Sequence, residues 1–179
     1  MYEPPPTTTY LFERLPNGFA EALGAFLLNW NAAESALSQI LNHFMGGHTY
    51  SVVKNMPNHT RISLLESYLA SGNVALGTVN VIANHISVYK VCLETRNIVV
   101  HGMLFPNEGG VYLTKRSRQK LNTYFFDLET IQKYSKTCHL LFQSGINIWE
   151  HLEANRRGDN PIKLPGLLEK PDGLQLLEN

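Results

Sequence analysis

Between Val79 and Val100 the chain returns to one side of a helix at alternating steps of three and four: Val79, Ile82, Ile86, Tyr89, Leu93, Arg96, Val100. That spacing lays one face of an α-helix against a core, whereas a strand would bring every second residue to the same side. The sixth member of the series is an arginine. A charge in a buried seam is costly unless it is paired or opens onto a wet site. Arg96 therefore demands a partner in a way that Lys90 and Glu94, off the seam, do not.

The same spacing defines the neighbouring elements. A first helix is expected from near Asn17, which can cap it, with Phe19, Leu23, Phe26, Trp30, Ala33, Leu37, Leu41 and Phe44 on its apolar face and Gly46-Gly47 ending it. A short piece from Tyr50 to Asn55 leads to Pro57, and a second helix from Asn58 carries Ile62, Leu65 and Leu69 and stops at Ser71-Gly72-Asn73. After His101-Gly102 the period changes. Met103-Leu104-Phe105, a turn through Pro106 to Gly110, and Val111 to Thr114 read as a β-hairpin. Thr123 to Phe126 reads as a third short strand. Asp127 can cap the last long helix, whose seam is Leu128, Ile131, Tyr134, Cys138, Leu141, Gly145, Ile148 and Leu152.

The expected architecture is all-α: an antiparallel helical bundle of three long helices and one shorter, with a small β-hairpin inserted before the last long helix. Residues 1–16 are a Pro- and Thr-rich lead-in, residues 17–157 the helical domain, and residues 158–179 a tail with Pro161, Pro165 and Pro171 that lies extended on the body or on a partner.

Composition narrows the function classes. Fifteen basic residues balance fifteen acidic ones, so the overall field cannot hold a polyanion and any nucleic-acid contact must use local charge. Cys92 and Cys138 lie in helical segments without CxxC spacing and read as buried apolar residues in a reducing compartment. The uncharged stretch from Ser67 to Tyr89 is broken by Gly72, Asn73, Gly77, Asn80, Asn84 and His85, which excludes a membrane reading. The opening Met-Tyr-Glu-Pro-Pro-Pro has no basic-then-apolar leader, so a cytoplasmic protein is expected. His43, His48, His59, His85, His139 and His151 form no His-x3-His or HExxH pattern, and no phosphate loop occurs. No cofactor and no metal are expected.

Arg96, Asn97 and His101 carry the pointed chemistry. Asn97 and His101 stand one turn apart on one helix face, with Arg96 one position round, so the three can converge on a phosphate at the helix end. A histidine can take the 2′-hydroxyl proton of RNA or protonate the departing 5′-oxygen. An arginine fork can stabilise charge developing on phosphorus, and an amide can orient either group. Such chemistry cuts RNA and leaves DNA alone. One histidine does not supply both acid and base, so the second role falls to a symmetric partner chain or to water.

An all-helical domain in which Arg, a polar residue, three further positions and His close a late long helix resembles the HEPN superfamily. The resemblance covers most of residues 17–155 as architecture, and its specific content is Arg96-Asn97 and His101. It implies a homodimer with the motifs of both protomers lining one cleft. It also implies a metal-independent endoribonuclease of the kind found in toxin–antitoxin and phage-defence systems, with Arg96, Asn97 and His101 as the catalytic set. An antitoxin or regulatory protein would then be a partner. One departure stands out: HEPN toxins silenced by a nucleotidyltransferase antitoxin carry a tyrosine two residues beyond the histidine, where this chain has Met103.

Two further readings remain open. Lys115, Arg116, Arg118 and Lys120 form either an RNA-binding strip, with Tyr112, Tyr124 and Phe125 available to stack on bases, or a solvated basic loop. Glu34, one turn from Trp30, can pair with Arg96 and hold it in place whether or not catalysis occurs, and the alternative to the nuclease is a non-catalytic HEPN-like module for dimerisation or for binding protein or RNA.

Overall fold

The computed structural model describes residues 15–177 apart from 108, 118, 119, 161 and 175. The expected lead-in thus lies almost wholly outside the described residues. The chain is mostly helical, with a small antiparallel sheet inserted before the last long helix. The elements are α1 (Phe19–Phe44), α2 (Tyr50–Val53), α3 (Asn58–Ala70), α4 (Leu76–His101), β1 (Met103–Asn107), β2 (Gly110–Ser117), β3 (Lys120–Asp127), α5 (Leu128–Arg157) and β4 (Leu176–Leu177). Among the described residues, no helix is long and apolar enough to cross a membrane.

The helix ends follow local chemistry. Asp127 accepts a hydrogen bond from the Thr130 amide at 2.7 Å and caps α5, as its side chain predicts. Gly158 closes that helix in the left-handed region at φ 72°, a conformation that favours glycine. The start of α1 differs from expectation, because Gly18 rather than Asn17 is the cap and no side chain bonds to the first turn.

The core is one cluster built on α1, α4 and α5, and the seams of α1 and α5 are buried much as their spacing requires. The bundle is not uniformly antiparallel, however. Gly18 meets Leu128, Asn29 bonds to Ser135, Ala36 meets Gly145 and His43 bonds to Glu153, so α1 and α5 run parallel. Glu34 to Asn58 and Phe44 to Tyr68 put α3 parallel to α1 as well. The long helix α4 runs the other way: along α5, Tyr134, Cys138 and Gly145 meet Thr95, Cys92 and His85 in turn, and Trp30 and Tyr89 lie with tilted rings 4.7 Å apart. The reason lies between α1 and α3: this segment turns back along α1, with Tyr50 bonded to Ser35, and takes the place of a descending helix.

The seam of α4 is also rotated. Ile82, Ile86 and Tyr89 are buried as expected, but toward the C-terminus the buried face moves to Cys92, Thr95 and Ile98, leaving Leu93 and Arg96 half-buried and Val100 exposed. His85 joins the core, fully buried. It sits at a close approach of α1, α4 and α5: a Cβ on Gly145 would lie 2.7 Å from Ala36 Cβ and 3.2 Å from His85 Cε1. A glycine inside a helix costs about 1 kcal/mol against alanine, and here it admits the other two helices.

The insert is more than a hairpin. The strands β1, β2 and β3 form an antiparallel meander in that order, and the tail adds the two-residue β4 to the edge of β3. Val111, Leu113 and Phe126 face the helices. The tail lies on the body. The Asn84 side chain donates to the Leu168 carbonyl and accepts from its amide, and the Tyr134 hydroxyl donates to the Asp172 carbonyl.

Candidate functional site

The C-terminal end of α4 carries Arg96, Asn97 and His101, and the chain passes straight from it into β1. His101 is the last helical residue and is exposed. Gly102 follows in an extended conformation, φ −84° and ψ 154°. Its lack of a side chain serves a close approach rather than a turn. A Cβ there would lie 2.5 Å from the Ile98 carbonyl oxygen and 3.5 Å from both Leu113 Cδ2 and the Thr114 carbonyl oxygen. The helix end is thereby pressed against β2.

Arg96 and Asn97 are both half-buried, and Arg96 Nη1 donates to Asn97 Oδ1 at 3.2 Å. Arg96 Nε is shut off from solvent and meets no acceptor among the described residues. No carboxylate stands in ion-pairing range of Arg96 among those residues either. The arginine and the amide are thus held together, while His101 stands one turn beyond Asn97 with its ring in solvent.

Glu34 does not hold Arg96. It belongs to a separate network around Arg61, which is buried at 4% exposure. Arg61 Nη2 reaches Glu34 Oε1 at 2.6 Å, Nη1 donates to Ser38 Oγ at 2.7 Å, and Nε donates to the Met56 carbonyl at 3.0 Å. Asn58 donates to the same Glu34 oxygen and accepts from the Tyr89 hydroxyl. Burial, and the Glu34 carboxylate next, hold the Tyr89 hydroxyl far above the usual phenol range. Helix direction explains the correction. With α1 and α4 antiparallel and Trp30 level with Tyr89, Glu34 lies one turn to one side of that level and Arg96 two turns to the other. The separation is about 16 Å along the axis at about 1.5 Å per residue. Arg61 was missed because it flanks the apolar positions of α3 rather than interrupting them. Its signal is the Asn58, Arg61, Leu65 spacing, which sets it on a buried face.

The basic strip also changes character. Lys115 and Arg116 lie in β2 and Lys120 begins β3, so three of the four cations stand on paired strands rather than in a loop beyond a hairpin. Arg118 lies outside the described residues. Lys115 is half-buried, and Arg116 and Lys120 are exposed. Tyr112 and Phe125 face each other across β2 and β3 with ring centroids 5.2 Å apart, while Tyr124 pairs with Leu113.

Cys92 and Cys138 are both buried thiols in contact, and that contact together with burial pushes the Cys138 thiol far above its ordinary range. Cys138 is therefore no nucleophile at neutral pH. Among the described residues no three His, Cys, Asp or Glu side chains cluster. No protein-family model matches the chain, and neither a curated protein nor a solved structure is similar enough to it to count as a match.

Proposed function

We propose that this chain is a HEPN-like helical domain that acts as a homodimeric, metal-independent endoribonuclease, with His101, Arg96 and Asn97 as its catalytic residues. The observation that carries the reading is the state of Arg96. It is a half-buried guanidinium held by a neutral amide, with no carboxylate to satisfy it among the described residues, one turn below an exposed histidine. A cation kept without a protein counter-charge suits an anionic ligand, and the 5-residue interval from Arg96 to His101 is the one the HEPN resemblance singles out.

In this mechanism a histidine takes the proton of a ribose 2′-hydroxyl, and the oxygen attacks the adjacent phosphorus. The bond to the 5′-oxygen breaks, that oxygen takes up a proton, and the products are a 2′,3′-cyclic phosphate and a 5′-hydroxyl. Arg96 stabilises the charge on the phosphoryl oxygens during the attack. The second proton transfer falls to His101 of the other protomer. Control through a tyrosine two residues after the histidine does not apply, since Met103 stands there.

Purified protein should cut single-stranded RNA in EDTA and leave DNA intact, with cyclic phosphate ends identified by mass spectrometry. His101→Ala should slow cleavage by about 10²- to 10⁴-fold, the range for losing a general acid–base group, with an unchanged melting temperature. Cleavage that survives this substitution would falsify the mechanism. An inactive wild type that loses its dimer on Arg96→Ala would favour the non-catalytic module instead.

A further inference from the structure

The register of the sheet sets one lysine beside the end of α4. Val111, Leu113 and Lys115 share one side of β2 by alternation, and burial of the first two puts that side toward the helices. The ladder between β1 and β2 pairs Met103 with Thr114, so one further step sets Lys115 opposite Gly102. The close approach at Gly102 agrees with this: a Cβ there would lie 3.5 Å from the Thr114 carbonyl oxygen, in the peptide that leads into Lys115. Opposed antiparallel Cα atoms are about 5 Å apart and successive ones about 3.8 Å, so the Lys115 Cα lies within about 9 Å of the His101 Cα. The flexible lysine stem spans much of that gap.

The charge around this point is one-sided. From Thr95 to Phe126 the chain carries Arg96, Lys115, Arg116, Arg118 and Lys120 against a single carboxylate, Glu108, which follows β1 in sequence. Lys115 is half-buried, and among the described residues no carboxylate stands in ion-pairing range of it. Its row continues across β3 to Asn122, a neutral amide. Lys115 is thus a second cation, after Arg96, that the fold leaves without a described counter-charge near His101. Arg116 faces the opposite side of the sheet by alternation, and Lys120 pairs with Ser117, farther from Gly102. Among the described cations of the strands, Lys115 is the one that adjoins the helix end.

We infer that Lys115 is a phosphate-binding residue of the proposed RNA site, holding the phosphate next to the scissile one. The inference rests on the proposed RNA cleavage and makes the sheet part of the site. Arg96 lies below His101 by about 7.5 Å along the helix axis at about 1.5 Å per residue, whereas Lys115 lies past the helix end, across from Gly102. A single RNA strand laid over His101 thus meets a cation on each side. Arg96 takes the scissile phosphoryl oxygens, and Lys115 takes the neighbouring phosphate. That phosphate keeps its charge throughout the reaction, so Lys115 contributes to binding rather than to the chemical step.

The test joins binding to kinetics on the full chain. Affinity is read by fluorescence anisotropy with a labelled 2′-O-methyl RNA 12-mer, which cannot be cleaved, and rates with unmodified single-stranded RNA of the same sequence. Lys115→Met keeps the apolar stem and removes the charge. It should weaken binding on the order of tenfold, a charge-assisted hydrogen bond's share. It should also reduce the slope of log affinity against log salt by about 0.7, one phosphate's share on a single strand. KM should rise in step while kcat stays the same, and Lys115→Arg should retain most of the affinity. Arg116→Met removes an equal charge from the other side of β2 and should change affinity much less. A loss at Lys115 no greater than at Arg116 overturns the assignment even where RNA is cleaved, and so does a wild type that binds no RNA. A fall in melting temperature that accounts for the lost binding makes the lysine structural and overturns it too. Lys115-dependent binding by a protein that never cleaves RNA would remove the nuclease and leave the phosphate contact standing.

Discussion

Arg61 and Arg96 both stand beside helical apolar seams, yet their surroundings differ. Arg61 lies mid-bundle between α1 and α3, where a carboxylate, a hydroxyl and a carbonyl oxygen take its donors. Arg96 lies at the end of α4, where the bundle gives way to the sheet, and among the described residues only the Asn97 side chain accepts a hydrogen bond from its guanidinium. A guanidinium in the body is neutralised by the fold. At the helix end the fold supplies one neutral acceptor and leaves the charge to something else.

The largest expected effect comes from testing that difference by stability. Removing one partner of a buried ion pair costs about 3–5 kcal/mol, so Arg61→Ala and Glu34→Ala should each lower the denaturation midpoint steeply. Arg96→Ala should cost less than about 1 kcal/mol, as for a partly exposed group with one side-chain hydrogen bond, while removing cleavage. Equal losses at Arg61 and Arg96, read by urea titration, would make both arginines structural.

His85 sharpens the contrast, because the body excludes its charge altogether. Both ring nitrogens are buried without partners among the described residues, and burial lowers its pKa from 6.5 to about 4. The unfolded chain therefore takes up a proton between pH 6.5 and 4 that the folded chain refuses. Stability falls as the pH drops through that window, in full by on the order of 3 kcal/mol. Asp127 is shifted below its ordinary range by its hydrogen bond to Thr130, and Glu153 by its hydrogen bond to His43. Their contributions are present above the carboxylate range and lost beneath it. His85→Leu should thus shrink the drop in melting temperature between pH 7 and 4.5. A drop of undiminished size would assign the acid sensitivity to other groups.

A smaller effect is expected where the sheet returns to the bundle. Asp127→Ala removes the cap of α5 and should cost about 1 kcal/mol, measurable as a shift in melting temperature. Since α5 packs along α1 and not on the last turn of α4 alone, RNA cleavage at 25 °C should change little. A large loss of activity would mean that the junction between β3 and α5 also positions the helix end.

Local chemistry in the chain was enough for much of this. The long apolar spacings mark α1, α4 and α5, Asp127 and Gly158 mark the ends of the last helix, and the change to alternation after Gly102 marks the sheet. Each depends on neighbours within a few residues, so each is legible in order along the chain. Helix direction was not, because the return from Gly46 to Pro57 makes no regular element long enough to register, and it alone turns α1 and α3 parallel. Nor was the identity of Glu34's partner, since a periodic pattern says which face a residue occupies but not which neighbour stands at its height. The segment from Arg96 to His101 kept its place at the end of α4. Only the packing showed that Glu34 serves Arg61 and that the seam rotates away from Arg96, leaving a held cation beside an exposed histidine. Long-range pairing is set by the relative heights of helices, and those are fixed by tertiary contacts.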